Sequence, residues 1–181
     1  MIDITRSTRF KVQLSEIDFK AIINESLANL RNIDGAHKLA VKTTIESFLP
    51  YYSDRKQLLV IFNNIISNAI KYQHAHEVHP SLTIHIEVNS EQAVMTFTDN
   101  GIGIGKENIT KVFDMFFRSP GTKPDGSGLG LYIVKEIVRK MKGRIRVASE
   151  VNKGSSFTVE LPNKIDPDLL RKLTKLIQNT K

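Results

Sequence analysis

Seven of the ten glycines and two of the six prolines fall between Asn100 and Gly130. Glycine and proline at that density stop both helix and strand, so this stretch predicts mostly mobile loop, broken by a short helical piece around Ile109 to Phe117. It begins directly after a predicted strand with Asp99-Asn100-Gly101-Ile102-Gly103-Ile104. It ends as Gly126-Ser127-Gly128-Leu129-Gly130-Leu131 runs into a predicted helix. Whatever the chain folds into must hang a long loop between a sheet and a helix.

The flanking sequence supplies both. Between Asp18 and Leu30, Phe19, Ile22, Ile23, Leu27 and Leu30 recur at three- and four-residue spacing behind a capping aspartate, which predicts an amphipathic helix. Lys38 to Phe48 reads as a strand ended by Pro50. A second helix starts near Asp54 with the broad apolar surface Leu58, Leu59, Ile61, Phe62, Ile65, Ile66, Ala69 and Ile70. Ser81 to Val88 and Ala93 to Thr98 predict one hairpin about the polar turn 89–92. A helix from Leu129 to Met141 leads into a second hairpin, Arg144 to Ser149 and Ser156 to Leu161. Two hairpins with helices between them point to an α+β fold: a two-layer α/β sandwich with a mixed sheet covered by helices on one face.

The C-terminal stretch, 163–181, offers Asp166 as cap, Pro167 at the first helical position, and Leu169, Leu173, Leu176 and Ile177 along one face. This amphipathic basic helix fits packing on its own domain, and it also fits binding a partner.

The 181 residues suit one domain with a proper core. A hydrophobic fraction of 40% and a charged fraction of 25% place the chain among globular proteins. With no cysteine, disulfides, thiolate metal sites and a cysteine nucleophile are excluded, and a cytoplasmic setting is the default expectation. No stretch approaches the roughly 18 apolar residues of a membrane span, so no membrane contact is expected. The net charge of +7 permits a polyanionic partner, but the basic residues form no stripe interleaved with aromatics, so no nucleic acid is expected. His74, His76 and His79 lack any standard zinc spacing and read as solvated loop residues, while His37 follows Gly35-Ala36 in a turn and His85 alternates within a strand.

Three groups of residues carry chemistry. An acidic residue at a strand end followed by alternate glycines, as at Asp99, lets backbone approach a flat ligand while the carboxylate accepts a hydrogen bond from it, for example from an adenine amino group. The same segment also fits a plain tight turn. Glycines 126, 128 and 130 before a helix suit a phosphate cradle, with free N–H groups and partial positive charge at the helix start; a hinge without ligand fits too. On the helix from Asp54, Asn64, Asn68 and Lys71 lie on one face, where amide oxygen suits Mg2+ and ammonium suits phosphate, or where the three form a solvated polar stripe.

Together these segments resemble the catalytic, ATP-binding domain of sensor histidine kinases, in the Bergerat-fold superfamily shared with type II topoisomerases and heat-shock chaperones. Asn64 to Tyr72 resembles the N box, Asp99 to Ile104 the first glycine box, Phe113 to Arg118 the F box, and Gly126 to Leu131 the second glycine box. Gly154-Ser155-Ser156-Phe157 stands where the family has a GTxF-like strand start, with serine in place of threonine. The resemblance covers roughly Ile2 to Pro162.

The resemblance implies ATP and Mg2+ as cofactors. It implies that Asn68 ligates the metal, Asn64 supports that shell, Lys71 meets phosphate oxygens and Tyr72 flanks the nucleotide. Asp99 is expected to bind the adenine amino group, with Gly101, Gly103, Ile104 and Ser155 shaping the base pocket. An ATP lid is expected over 105–127, anchored by Phe113 and Phe116, with Lys123 or Arg118 reaching the phosphates and Gly126, Ser127, Gly128, Leu129 and Gly130 cradling them. Catalysis would rest on Asn64, Asn68 and Lys71.

Hydrolysing members of the superfamily carry a glutamate base where Asn64 stands, and an amide cannot take a proton from water at neutral pH. The expected reaction is therefore γ-phosphoryl transfer to a histidine on upstream dimerisation helices not present in this chain, and from there to a response-regulator receiver domain. Residues 1–15 are read as a remnant of that upstream helix and linker, 16–162 as the catalytic domain, and the isolated chain as a monomer. The alternatives are a serine-directed kinase or an ATPase on the same fold, or a degraded nucleotide-binding scaffold.

Overall fold

Strict alternation along Ser81–Val88 and Gln92–Asp99 decides which side of the sheet is covered. In the computed structural model, which describes residues 13–74, 79–118 and 127–178, Leu82, Ile84, Ile86, Val88, Ala93, Met95 and Phe97 are all buried. Thr83, His85, Glu87, Thr96 and Thr98 point to the opposite, open face, because successive strand residues alternate sides.

In chain order the elements are β1 (Leu14–Glu16), α1 (Phe19–Leu30), a 3-10 turn (Ala36–Lys38), β2 (Ala40–Ser47), β3 (Tyr52–Asp54) and α2 (Arg55–Lys71). There follow β4 (Ser81–Val88), β5 (Gln92–Asp99), α3 (Gly130–Lys140), β6 (Arg144–Glu150), β7 (Gly154–Pro162) and α4 (Pro167–Gln178). The main sheet has the order β2-β4-β5-β7-β6. Its β2–β4 pair is parallel and its other pairs are antiparallel, so the sheet is mixed. The parallel pair needs a crossover, and α2 lies within it.

Asp54 starts α2 by accepting the N–H groups of Lys56 and Gln57 at 3.0 and 3.1 Å, and Asp18 caps α1 through the Ala21 N–H at 3.1 Å. The apolar stripe of α2, from Leu58 to Ile70, then faces the sheet. At its centre Phe62 meets Phe97 of β5 edge-on at 5.0 Å and Phe19 of α1 at 6.4 Å. Three elements are thereby locked through one ring, a geometry that adds to area burial.

Both predicted hairpins form. The structure adds a two-stranded antiparallel pair, β1–β3, whose three-residue strands are too short for alternation to register. The predicted helical piece at Ile109 to Phe117 is instead a run of turns. Its hydrogen bonds mostly close three residues back (Lys111 N–H to Asn108, Asp114 to Lys111, Phe117 to Asp114), and Phe116, at φ 63°, breaks any helical path. The strand expected from Lys38 begins at Ala40, since Gly35, at φ 83°, opens the 3-10 turn first. Asp166 caps α4 as expected, accepting from Asp168 and Leu169 at 2.9 and 3.1 Å. Leu169, Leu170 and Leu173 are half-buried, while Leu176 is 63% exposed. Asn163 ties the end of β7 to the neighbouring turns: its Oδ1 accepts from Tyr52 and its amide donates to the carbonyls of Pro50 and Asn89, each at 3.0 Å. Among the described residues no helix is long and apolar enough to cross a membrane. The expectations for Ile2 to Arg9, His76, Lys123 and Gly126 lie outside the described residues.

Candidate active site

The C-terminal half of α2, the end of β5, the start of β7 and the N-terminus of α3 border a cleft of about 230 Å³. Helical spacing brings Asn64, Ser67, Asn68 and Lys71 to one wall. Asn64 donates its amide N–H to Val60 O at 2.8 Å, which commits its nitrogen to the helix. Its Oδ1 faces α3 so closely that a Cβ on Gly130 would lie 2.7 Å from it. Among the described residues the Asn68 amide makes no hydrogen bond and Lys71 no ion pair, so both are available to a ligand.

At the other end stands Asp99. Its Oδ1 accepts from Gly101 N–H at 2.9 Å and Ser155 N–H at 3.2 Å, and no hydrogen bond falls on Oδ2 among the described residues. Burial raises its pKa above the ordinary carboxylate value, and the two N–H donors only partly offset this. Burial likewise raises the Tyr72 hydroxyl on the α2 side, with Arg118 opposing. Lys71 and Arg118 both line the cleft.

The first glycine box is shaped by close approach. A Cβ on Gly103, whose φ is 69°, would sit 2.0 Å from Glu150 O, so the loop can cross the β6–β7 turn only without a side chain. Ile102 N–H donates to Tyr72 O at 3.0 Å and Asn152 N–H donates to Ile102 O at 2.8 Å, which bind the loop to both walls. Gly128, at φ 70°, passes within 2.8 Å of the Phe116 backbone, measured from its would-be Cβ. Among the described residues no side chain caps α3, whose cap position is Leu129, which leaves its first N–H groups open to a ligand beside Gly130, a residue that lines the cleft.

Of the residues expected from sequence, Asn64, Asn68, Lys71, Tyr72, Asp99, Gly103, Ile104, Ser127, Gly128, Gly130 and Ser155 line this cleft together. Gly101, Phe113 and Leu129 are not among the residues that line it. The Gly101 N–H is spent on Asp99, and a Cβ there would lie 2.4 Å from Tyr72 O. Phe113, expected as an anchor, packs edge-on against Phe157 at 6.4 Å. Phe116 is not one: it is 65% exposed, and its left-handed backbone turns the following Phe117 into the cleft instead.

Sequence reasoning missed Ser67, which the spacing from Asn64 to Lys71 could have revealed, and the apolar wall of Ile102, Val112, Phe117, Leu131 and Phe157. It also missed Ser149. The Ser149 Oγ accepts the Ile104 N–H at 2.8 Å, donates to Gly154 O at 2.7 Å and lies 3.0 Å from Ser155 Oγ. No motif flags a lone serine in a strand.

Among the described residues, a carboxylate with one unused oxygen at one end, and unpaired amide, ammonium and helix N–H groups at the other, form a site of split polarity in one cleft. A family profile described as histidine kinase-, DNA gyrase B-, and HSP90-like ATPase matches residues 53–165, and the chain belongs to that family. Its fold is that of a histidine-kinase-type ATP-binding domain. The chain is 33% identical over 161 residues to the sensor histidine kinase AtsR of Burkholderia thailandensis, covering 87% of this chain and 27% of that protein. It is 32% identical over 172 residues to the sensor protein RprX of Bacteroides fragilis, covering 90% of this chain and 31% of that protein. The solved mycobacterial sensor histidine kinase MprB superposes with a TM-score of 0.69 at 25% identity, covering 85% of this chain and 100% of that one. The chain thus spans a third or less of the length of these two curated relatives.

Proposed function

We propose that the domain binds ATP with Mg2+ and directs the γ-phosphoryl to a histidine on a separate dimerisation domain, from which it passes to an aspartate of a response-regulator receiver domain. The observation that carries this is the pairing, within one cleft, of the half-used Asp99 carboxylate with the Asn64, Asn68 and Lys71 face of α2.

The residues fit both cofactors. Asp99 Oδ2, which takes no hydrogen bond among the described residues, is an acceptor suited to an adenine amino donor, and the Asn68 amide oxygen is a hard ligand of the kind Mg2+ takes. Gly130 keeps the start of α3 close to Asn64, where any larger residue would crowd the space. When bound, ATP supplies the phosphoryl group and Mg2+ neutralises its charge. The chain's own residues bind and orient: Ser155, Gly103 and Ile104 frame the base, Lys71 and the N–H groups of α3 hold phosphate oxygens, and Gly128 lets the loop close against 116–117.

Asn64 supports transfer over hydrolysis. Its amide cannot act as a base, and its nitrogen is already engaged with Val60 O. A hydrolysing ATPase on this fold would need a proton acceptor where Asn64 stands. We assign 105–127 as a lid, 1–15 as upstream linker, 16–162 as the catalytic domain and 163–181 as a C-terminal helical extension. The domain is proposed to act as a cytoplasmic monomeric module, dimerising only through its partner helices.

Calorimetric titration with a non-hydrolysable ATP analogue, with and without Mg2+, tests this reading. Wild type should bind, Asp99→Asn should lose affinity, and Asn68→Ala should lose chiefly the Mg2+ dependence. Absence of binding by folded wild type would leave the degraded-scaffold reading in its place.

A further inference from the structure

The open face of the sheet carries a cluster that the nucleotide cleft does not use. Glu46 on β2 and Glu87 on β4 are directly opposed in the parallel register. Like charges so placed repel across a strand pair. His85, two residues before Glu87 and on the same face, brings its Nε2 to 3.3 Å from Glu46 Oε1 and 4.0 Å from Glu87 Oε1. All three ligand-type atoms lie within 4.8 Å of one another.

Among the described residues no lysine or arginine forms an ion pair with either glutamate. On β5, the residues beside His85 and Glu87 are Thr96 and Val94, and on β2, Thr44 is opposite His85. Among the described residues His85 is the only ion-pair partner of either carboxylate. Two carboxylates and an imidazole nitrogen form a mixed oxygen and nitrogen donor set with solvent on the fourth side, which is the ligand set of a three-coordinate divalent transition-metal site with an open position. Neighbouring ligands about 2.1 Å from a tetrahedral ion stand roughly 3.4 Å apart, and the two distances from His85 bracket that spacing. Exposed glutamate side chains can close the remainder by rotation.

We infer that Glu46, His85 and Glu87 form a binding site for a divalent transition-metal ion of the zinc type on the open face of the sheet, separate from the nucleotide cleft. A bound ion would fasten β2, at the edge of the sheet, to β4.

The test is calorimetric titration of the full chain with Zn2+, without nucleotide, together with thermal melts in the presence and absence of the ion. Wild type is expected to bind and to melt at a higher temperature with Zn2+. His85→Ala should abolish binding, and Glu46→Gln should weaken it by roughly tenfold or more, at least the loss typical of a disturbed metal shell. The His74→Ala, His76→Ala, His79→Ala triple variant should bind as wild type does. Circular dichroism of each variant confirms folding. Failure of wild type to bind Zn2+, or binding that survives in His85→Ala, or binding lost in the triple variant, overturns the site.

Discussion

Asp99 Oδ1 accepts the Ser155 N–H at 3.2 Å across the β5–β7 pair, and the same oxygen also takes the Gly101 N–H at 2.9 Å. One carboxylate oxygen is therefore structural and the other belongs to the cleft. An asparagine at 99 would have to place its oxygen on those two donors and turn its NH2 toward the cleft, where it would face a ligand amino group donor to donor. Asp99→Asn should accordingly keep the fold and weaken adenine nucleotide binding by roughly tenfold to a hundredfold, the range expected when a charged hydrogen bond is lost. Nucleotide titration alongside a thermal melt checks both halves.

The raised pKa of Asp99 gives that prediction a pH signature. Burial disfavours its ionised form, so Asp99 taken alone makes the folded state more stable as pH falls through the raised pKa, the reverse of a salt-bridged aspartate. A ligand donor hydrogen-bonded to Oδ2 favours the ionised form. The affinity ratio of wild type to Asp99→Asn should therefore shrink as pH falls through that pKa, whereas titration of the nucleotide itself cancels in the ratio. A ratio flat across the acid range would refute a carboxylate contact.

Gly130 separates stability from binding. Gly130 is the first residue of α3, where glycine costs less relative to alanine than the about 0.5–1 kcal/mol of a helix interior, so Gly130→Ala should leave the melting temperature close to that of wild type. Its new Cβ would lie 2.7 Å from Asn64 Oδ1, a side-chain atom able to move, and would push it out of place. Nucleotide affinity should fall although the protein is no less stable, and unchanged affinity would remove Asn64 from the phosphate end.

Phe62 tests the core that holds these walls apart. It is fully buried and joins α1, α2 and β5 through Phe19 and Phe97. Phe62→Ala should lower stability by about 3–5 kcal/mol, measurable by denaturant unfolding. A cost near 1 kcal/mol would mean that the three elements close over the cavity.

What was legible in the sequence followed from periodicity and spacing. Ile84 and Ile86 alternate with His85, and Asn64, Asn68 and Lys71 keep helical intervals, so the sheet face and the polar wall of α2 could be read directly. Tertiary crossings left no such trace. Phe116 and Phe117 are chemically alike, yet Phe117 lines the cleft while Phe116, with its positive φ, is exposed. Gly103 reads as a residue for ligand approach, yet its nearest neighbour is the Glu150 carbonyl of a turn some 47 residues later. Glu46 and His85 come together only through the parallel register of β2 and β4.

Ser149 is the least legible of these residues and offers the subtlest test. Its single hydroxyl serves Ile104 N–H, Gly154 O and Ser155 Oγ, linking the first glycine box to the β6–β7 turn behind the base end of the cleft. Ser149→Ala leaves the Ile104 N–H and the Gly154 carbonyl without this partner, at a cost of about 1–3 kcal/mol where water cannot replace it. Because Ile104 and Ser155 both line the cleft, the loss should also appear as weaker binding of ATP analogue with its Mg2+ dependence intact, the opposite pattern to Asn68→Ala. Ser149→Thr keeps the hydroxyl and should restore much of the affinity. If alanine and threonine behave alike, the hydroxyl does not position the base end and Ser149 serves only the turn.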